Sequence, residues 1–223
     1  MGKLSIVATP IGNLEDITLR ALRTLKECDG IYAEDTRVIS KLLAWYEIKK
    51  PLQRLDSATE IKKADEIITR LEAGEYVVLV SDAGTPCISD PGARLVAQVR
   101  EKLPDVEIEA VPGPSALTAT LSIAGLNVTE FTFLGFLPHK KGRQTALKKI
   151  AVSEIPIVLY ESPHRILKLL KELEDLHISR IIIARELTKI HEETVSGTPT
   201  EVLTHFAMHT ESIRGEFVVI VKP

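Results

Sequence analysis

The chain has only two cysteines, one tryptophan and 4% aromatic residues, and its longest apolar runs, such as 76–80 and 217–221, are of strand length. Cys28 and Cys87 form no CxxC pair, which excludes a disulfide scaffold and predicts two free thiols in a reducing, cytoplasmic compartment. Crossing a bilayer takes about 20 apolar residues, and the opening Met1-Gly2-Lys3-Leu4-Ser5-Ile6 has no apolar core, so neither a membrane span nor a secretory signal is expected. An excess of one charge is missing too: 31 acidic and 28 basic residues leave a net charge of -3. Such a chain does not coat a polyanion nonspecifically, although a local basic patch stays open. Familiar motifs are also absent. There is no GxGxxG after the first strand, no GxxxxGK[ST] phosphate loop and no GxSxG elbow. His205 and His209 are four apart without a third ligand, so no metal is expected.

What the sequence does contain is alternation. Ser5–Ala8, Gly30–Ala33, Val77–Val80, Val106–Val111, Phe131–Phe136, Ile157–Tyr160, Arg180–Ala184 and Glu216–Val221 read as strands. Between them apolar residues recur at helical spacing: Ile17, Ala21 and Leu25; Val38 and Leu42; Ala64, Ile68 and Leu71; Leu95, Val99 and Leu103; Ile166, Leu169, Leu170 and Leu173. Ala116–Ala124 reads as a small-residue helix ended by Gly125. Ser57 to Glu60 and Thr198 to Glu201 predict capping boxes, and Ser162-Pro163 predicts an N-cap followed by proline at the first helical position. This pattern implies an α/β fold with mainly parallel sheets. The Pro112-Gly113-Pro114 hinge divides it into two α/β domains, 1–112 and 113–223.

Six turns follow predicted strands: Thr9 to Leu14, Ala33 to Arg37, Ser81 to Gly92, Val111 to Ala116, Tyr160 to Arg165 and Ala184 to Lys189. Open α/β sheets bind ligands outside the carboxyl ends of their strands. Glu34, Asp35 and Arg37, then Glu161, His164 and Arg165, then Arg185, Glu186 and Lys189 are therefore expected together at one sheet edge.

These turns carry a resemblance. Thr9-Pro-Ile-Gly-Asn-Leu, Ala33-Glu-Asp-Thr-Arg, Ser81-Asp-Ala-Gly-Thr-Pro, Val111-Pro-Gly-Pro-Ser-Ala, Gly135-Phe-Leu-Pro, Tyr160-Glu-Ser-Pro-His-Arg and Ala184-Arg-Glu-Leu-Thr-Lys closely resemble the tetrapyrrole methylase superfamily. Within it they resemble the branch that methylates small-subunit (16S) ribosomal RNA. The resemblance covers nearly the whole chain. It implies a cofactor, S-adenosylmethionine, folded into a cleft between the two domains, a homodimer, and transfer of a methyl group to a cytidine 2′-hydroxyl in the decoding region of the small ribosomal subunit. Carried over by motif, the cofactor would touch Pro10, then Gly84, Thr85, Pro86 and Ile88, then Gly113, Ser115 and Ala116, then Glu161 or Ser162, Ala184, and Gly215-Glu216. One departure stands out: the family's histidine-rich stretch before the Glu matching Glu60 is Asp56-Ser57-Ala58-Thr59 here.

Methyl transfer from a sulfonium is an in-line displacement governed largely by alignment. A ribose hydroxyl is a poor nucleophile, so a base is expected to take its proton. Glu34, Asp35, Glu161 and Glu186 are the candidates, with Arg37, Arg165, Arg185 and Lys189 available to hold flanking phosphates. For each carboxylate an ion pair with a neighbouring arginine is the competing reading. Basic density peaks at Lys140, Lys141 and Arg143, with Lys148 and Lys149 following, and reads as a mobile surface loop suited to RNA phosphates. Two alternatives stay open: a tetrapyrrole carbon methyltransferase, and a non-catalytic RNA- or ribosome-binding module.

Overall fold

Strand runs such as Val77-Val78-Leu79-Val80 are apolar on both faces, so both faces require a cover. The computed structural model describes residues 2–222 and divides into a first unit ending at Ser115 and a second beginning at Ala116. The first unit contains β1 (Lys3–Val7), α1 (Leu19–Glu27), β2 (Gly30–Ala33), α2 (Thr36–Trp45), β3 (Leu52–Arg54), α3 (Glu60–Glu72), β4 (Tyr76–Val80), α4 (Ala93–Lys102) and β5 (Glu107–Val111). Its five strands are all parallel, in the order β3-β2-β4-β1-β5.

Side chains alternate across this sheet as the pleat requires. Val78 and Val80 join Ala21, Leu25, Ile39 and Leu42 of α1 and α2 in one core. Val77 and Leu79 join Ala64, Ile67, Leu71, Leu95 and Val99 of α3 and α4 in another. The connection leaving β1 runs past β4 to β2, whereas the one leaving β4 runs past β1 to β5. Adjacent strands whose connections depart in opposite directions define a topological switch point. Val7 is in register with both Val80 and Val111, so three turns begin side by side there.

The second unit contains α5 (Ala116–Ile123), β6 (Thr132–Phe136), α6 (Arg143–Ala151), β7 (Ile157–Glu161), α7 (Ile166–Asp175), β8 (Arg180–Arg185), β9 (Glu193–Gly197), α8 (Pro199–Met208) and β10 (Phe217–Lys222). Its sheet runs β6-β7-β10-β8-β9, and only β6 and β7 pair in parallel. It is therefore a mixed sheet, because β10 enters between β7 and β8 antiparallel to both. Leu147, Ile150, Ile166, Leu169, Phe206 and Phe217 share its core.

Several sequence expectations are corrected. The six turns belong to two sheets, four on the first and two on the second, and not to one edge. The basic stretch is a loop only as far as residue 142: α6 starts at Arg143, and Arg143, Leu147 and Ile150 form its buried face. The Ser57 to Glu60 capping box does not form, since Thr59 is the N-cap of α3 without a side-chain bond and Ser57 is exposed. Asp56 does the local work instead, accepting the N–H groups of Ala58 and Thr59. Pro163 opens a turn, and α7 begins only at Ile166. The Thr198 to Glu201 capping box is present in full.

Candidate active site

The switch point of the first sheet is stitched by hydrogen bonds between turns. Thr9 and Gly84 exchange both backbone bonds at 3.0 Å. The Thr9 hydroxyl donates to the Ser81 carbonyl at 3.0 Å, and the Ser81 hydroxyl to the Gly84 carbonyl at 2.7 Å. Thr85 donates to the Pro114 carbonyl at 3.2 Å, which adds the turn after β5 to the assembly. Gly84 sits at φ +84, where a side chain is strained, and a Cβ would also press on Ile11. Its own N–H and C=O are engaged with Thr9 and Ser81, so Gly84 helps to build the platform.

Around that platform Pro10, Thr85 and Ser115 are half-buried, Pro86 is buried, and Ile88 and Gly113 are exposed. A Cβ on Gly113 would meet Ala8 at 3.0 Å, so its missing side chain lets the turn lie on the end of β1. The far end of the third turn is held by Glu60. This buried carboxylate accepts the N–H groups of Gly92, Arg94 and Leu95 at 2.9–3.1 Å, satisfying the open N-terminus of α4.

Beside the platform lies a cavity of about 530 Å3 lined by Glu34, Asp35, Thr36, Arg37, Arg54 and Asp82. Asp82 accepts the Asp35 N–H at 2.9 Å and so ties the β4 turn to the β2 turn. Asp35 is locked to Arg37 by several bonds, among them one of 2.6 Å, and its carboxyl is lowered to about 2, first by the Arg37 side chain and then by the Arg37 N–H. Glu34 shifts the opposite way. Burial raises its pKa, the negative charges of Asp82, Asp56 and Asp35 add to this, and Arg54 opposes it. Burial likewise raises Asp82, against the Asp35 N–H that it accepts. Sequence reasoning missed Asp82 and Arg54. Asp82 lay inside a quoted motif but had no charged neighbour in sequence to draw attention.

The second unit's candidates are arranged differently. Glu161 has no exposed surface; Arg165 holds it through contacts of 2.8 and 2.9 Å, and the Ser162 N–H donates to it at 2.9 Å. Arg165 also donates to the Leu137 carbonyl, and Arg143 to the Pro138 carbonyl and to Glu172. Arg143, expected to face RNA, is thus 4% exposed and anchors the loop whose tip carries exposed Lys140 and Lys141. Arg185 is buried as well, donating to Glu193 and to Ser212. Burial disfavours the charge on Glu193, but Arg185 and His205 outweigh it and lower its pKa. Glu186 pairs with Lys189 at 2.7 Å and packs where a Cβ on Gly215 would overlap it. Ala184 is buried within β8, Ser162 is half-buried, Ala116 opens α5 and Glu216 is exposed. No cluster of three metal-ligating side chains occurs among the described residues, and no helix among them is long and apolar enough to cross a membrane.

An α/β first unit followed by a mixed-sheet second unit is a fold shared with other solved structures. A diphthine synthase superposes with a TM-score of 0.74 at 13% identity, over 100% of this chain and 90% of that one. A cobalt precorrin-4 methyltransferase of cobalamin biosynthesis gives 0.70 at 21% identity, over 99% and 94%. A uroporphyrin-III C-methyltransferase from Thermus thermophilus, solved with S-adenosylhomocysteine, gives 0.64 at 19% identity, over 99% and 97%. The profile of the tetrapyrrole (corrin/porphyrin) methylases matches residues 3–203, and the chain belongs to that family. Its curated relatives are more specific. It is 46% identical to the ribosomal RNA small subunit methyltransferase I of Thermotoga maritima, over 99% of this chain and 98% of that protein. It is 44% identical to the protein of the same name from Neisseria meningitidis serogroup B, over 100% of this chain and 76% of that protein.

Proposed function

We propose that this chain is an S-adenosylmethionine-dependent methyltransferase acting on the 2′-hydroxyl of a cytidine in the decoding region of 16S ribosomal RNA. The observation that carries the reading is the stitched platform at the switch point, joined to a carboxylate chamber and found in a chain 46% identical to a ribosomal RNA methyltransferase. Tetrapyrrole methylation has weaker support, since the solved corrin and porphyrin enzymes named above share only 19–21% identity.

The residues present fit the cofactor. Pro10, Thr85, Pro86, Ile88, Gly113 and Ser115 offer small or apolar contacts on a rigid frame, and in this reading they hold it. When bound, the cofactor supplies an activated methyl group. Glu34 accepts the ribose proton: of the four candidate carboxylates, it alone combines a position in the chamber with a raised pKa and no arginine clamp. Arg37 and Arg54 stand beside it to hold phosphate. Exposed Lys140, Lys141 and Lys189 bind RNA backbone, and the working form is a cytoplasmic homodimer.

The test supplies purified protein with methyl-labelled S-adenosylmethionine and small ribosomal subunits lacking the modification. Label is expected on one cytidine ribose of the decoding region; label on a base, or on a tetrapyrrole and not on RNA, refutes the reading. Replacing Lys140 and Lys141 with Glu should weaken subunit binding and leave cofactor affinity unchanged. Unaltered subunit affinity removes this loop from the RNA surface.

A further inference from the structure

The outer face of α2 carries a row of side chains of which the proposed reaction uses only Arg37. Arg37, Lys41 and Trp45 follow at four-residue intervals and so line one side of the helix. Trp45 is the chain's single tryptophan and is 69% exposed; Val38, beside the same row, is 42% exposed. A cavity of about 370 Å3 opens between this face and the first turn. Pro10, Ile11 and Leu14 line one wall, and Val38, Lys41 and Trp45 the other. The walls are held at a fixed spacing, because the Tyr46 hydroxyl donates to the Leu14 carbonyl at 2.6 Å. Asp82 lines this groove and the Glu34 chamber alike.

We propose that the groove is a nucleobase subsite, in which one base of the RNA stacks on Trp45 while Lys41 and Arg37 meet the adjoining phosphates. The inference rests on the reading of the chain as an RNA methyltransferase. An aromatic interleaved with cations is the pattern that binds single-stranded nucleic acid, since the base has a π-face and the backbone is anionic. Asp82 adds an acceptor suited to an exocyclic amine such as that of cytosine. A second copy of the chain fits less well: a two-fold contact through this face would bring the cationic row against its own image.

The experiment measures methyl transfer to unmodified small ribosomal subunits by wild type, Trp45→Ala, Trp45→Phe and Lys41→Glu, with cofactor affinity and sedimentation followed in parallel. Stacking of one base on an aromatic is worth roughly five- to 150-fold in affinity. Trp45→Ala should therefore raise KM for the subunits about tenfold or more, with kcat and cofactor affinity near wild type, and Trp45→Phe should restore most of it. Lys41→Glu, an exposed change that leaves the fold alone, should raise KM and flatten its salt dependence. Wild-type KM in both Trp45→Ala and Lys41→Glu overturns the subsite. Loss of a wild-type dimer in Trp45→Ala assigns the groove to a second copy and also overturns it. A wild-type protein that methylates no RNA overturns the functional reading, and the subsite with it.

Discussion

At the carboxyl edge of the first sheet, Glu34, Asp35 and Asp82 share a cavity of about 530 Å3 with two arginines. At the end of β7 in the second sheet, Glu161 has no exposed surface and is gripped by Arg165, with Arg143 3.9 Å away. Both stretches read alike in sequence, as a strand followed by a carboxylate and then an arginine. The neighbours decide the outcome. β2 is flanked on its outer side by β3, a strand of only three residues, so room remains beyond its end. β7 has the five-residue β6 on its outer side, and α6 sends Arg143 in over its carboxyl end. A carboxylate beside a cavity with its pKa raised is available for proton transfer, whereas one clamped by buried arginines is a structural anchor.

That contrast is open to direct attack. The largest expected effect is on stability: Glu161→Ala takes the carboxylate partner from half-buried Arg165 and should cost about 3–5 kcal/mol, read by denaturant unfolding. A loss below about 1 kcal/mol would mean that the cluster is no anchor. Next comes Glu60→Ala, which strips an acceptor from three backbone N–H groups and should cost about 1.5–3 kcal/mol while weakening cofactor affinity through the loosened third turn. Unchanged cofactor affinity there separates the turn from the cofactor. A smaller effect is a shift along the pH axis. The charge of Asp82 contributes to the raised pKa of Glu34, and protonated Glu34 cannot accept a proton. Rate must therefore fall as pH drops through the raised pKa, and Asp82→Asn should move that acid limb to lower pH. A limb that moves up or stays put removes Asp82 from the electrostatics of the site.

Much of this was legible in the chain. β2 has the boundaries that the apolar pattern predicts, because both faces of Gly30–Ala33 are buried, and α2 forms where Val38 and Leu42 stand at helical spacing. The charged second-sheet residues misled for an identifiable reason. Arg143 occupies a core-facing position at the start of α6, and a cation beside Lys140 and Lys141 reads as solvated in sequence although it is buried. β9 is a polar edge strand with alternate residues half-buried, too weak a pattern to register. Glu60 shows a subtler limit. The capping-box spacing was present, yet the carboxylate caps a different helix, more than thirty residues further along, and only tertiary structure reveals that partner.

The central claim is that the first sheet's chamber, through Glu34, carries out the proton transfer. Single-turnover methyl transfer to unmodified small ribosomal subunits by Glu34→Gln tests it most directly. The expected result is a rate lowered by about 10²-fold or more, with cofactor affinity and unfolding midpoint at wild-type values. A Glu34→Gln enzyme that turns over at the wild-type rate contradicts the account.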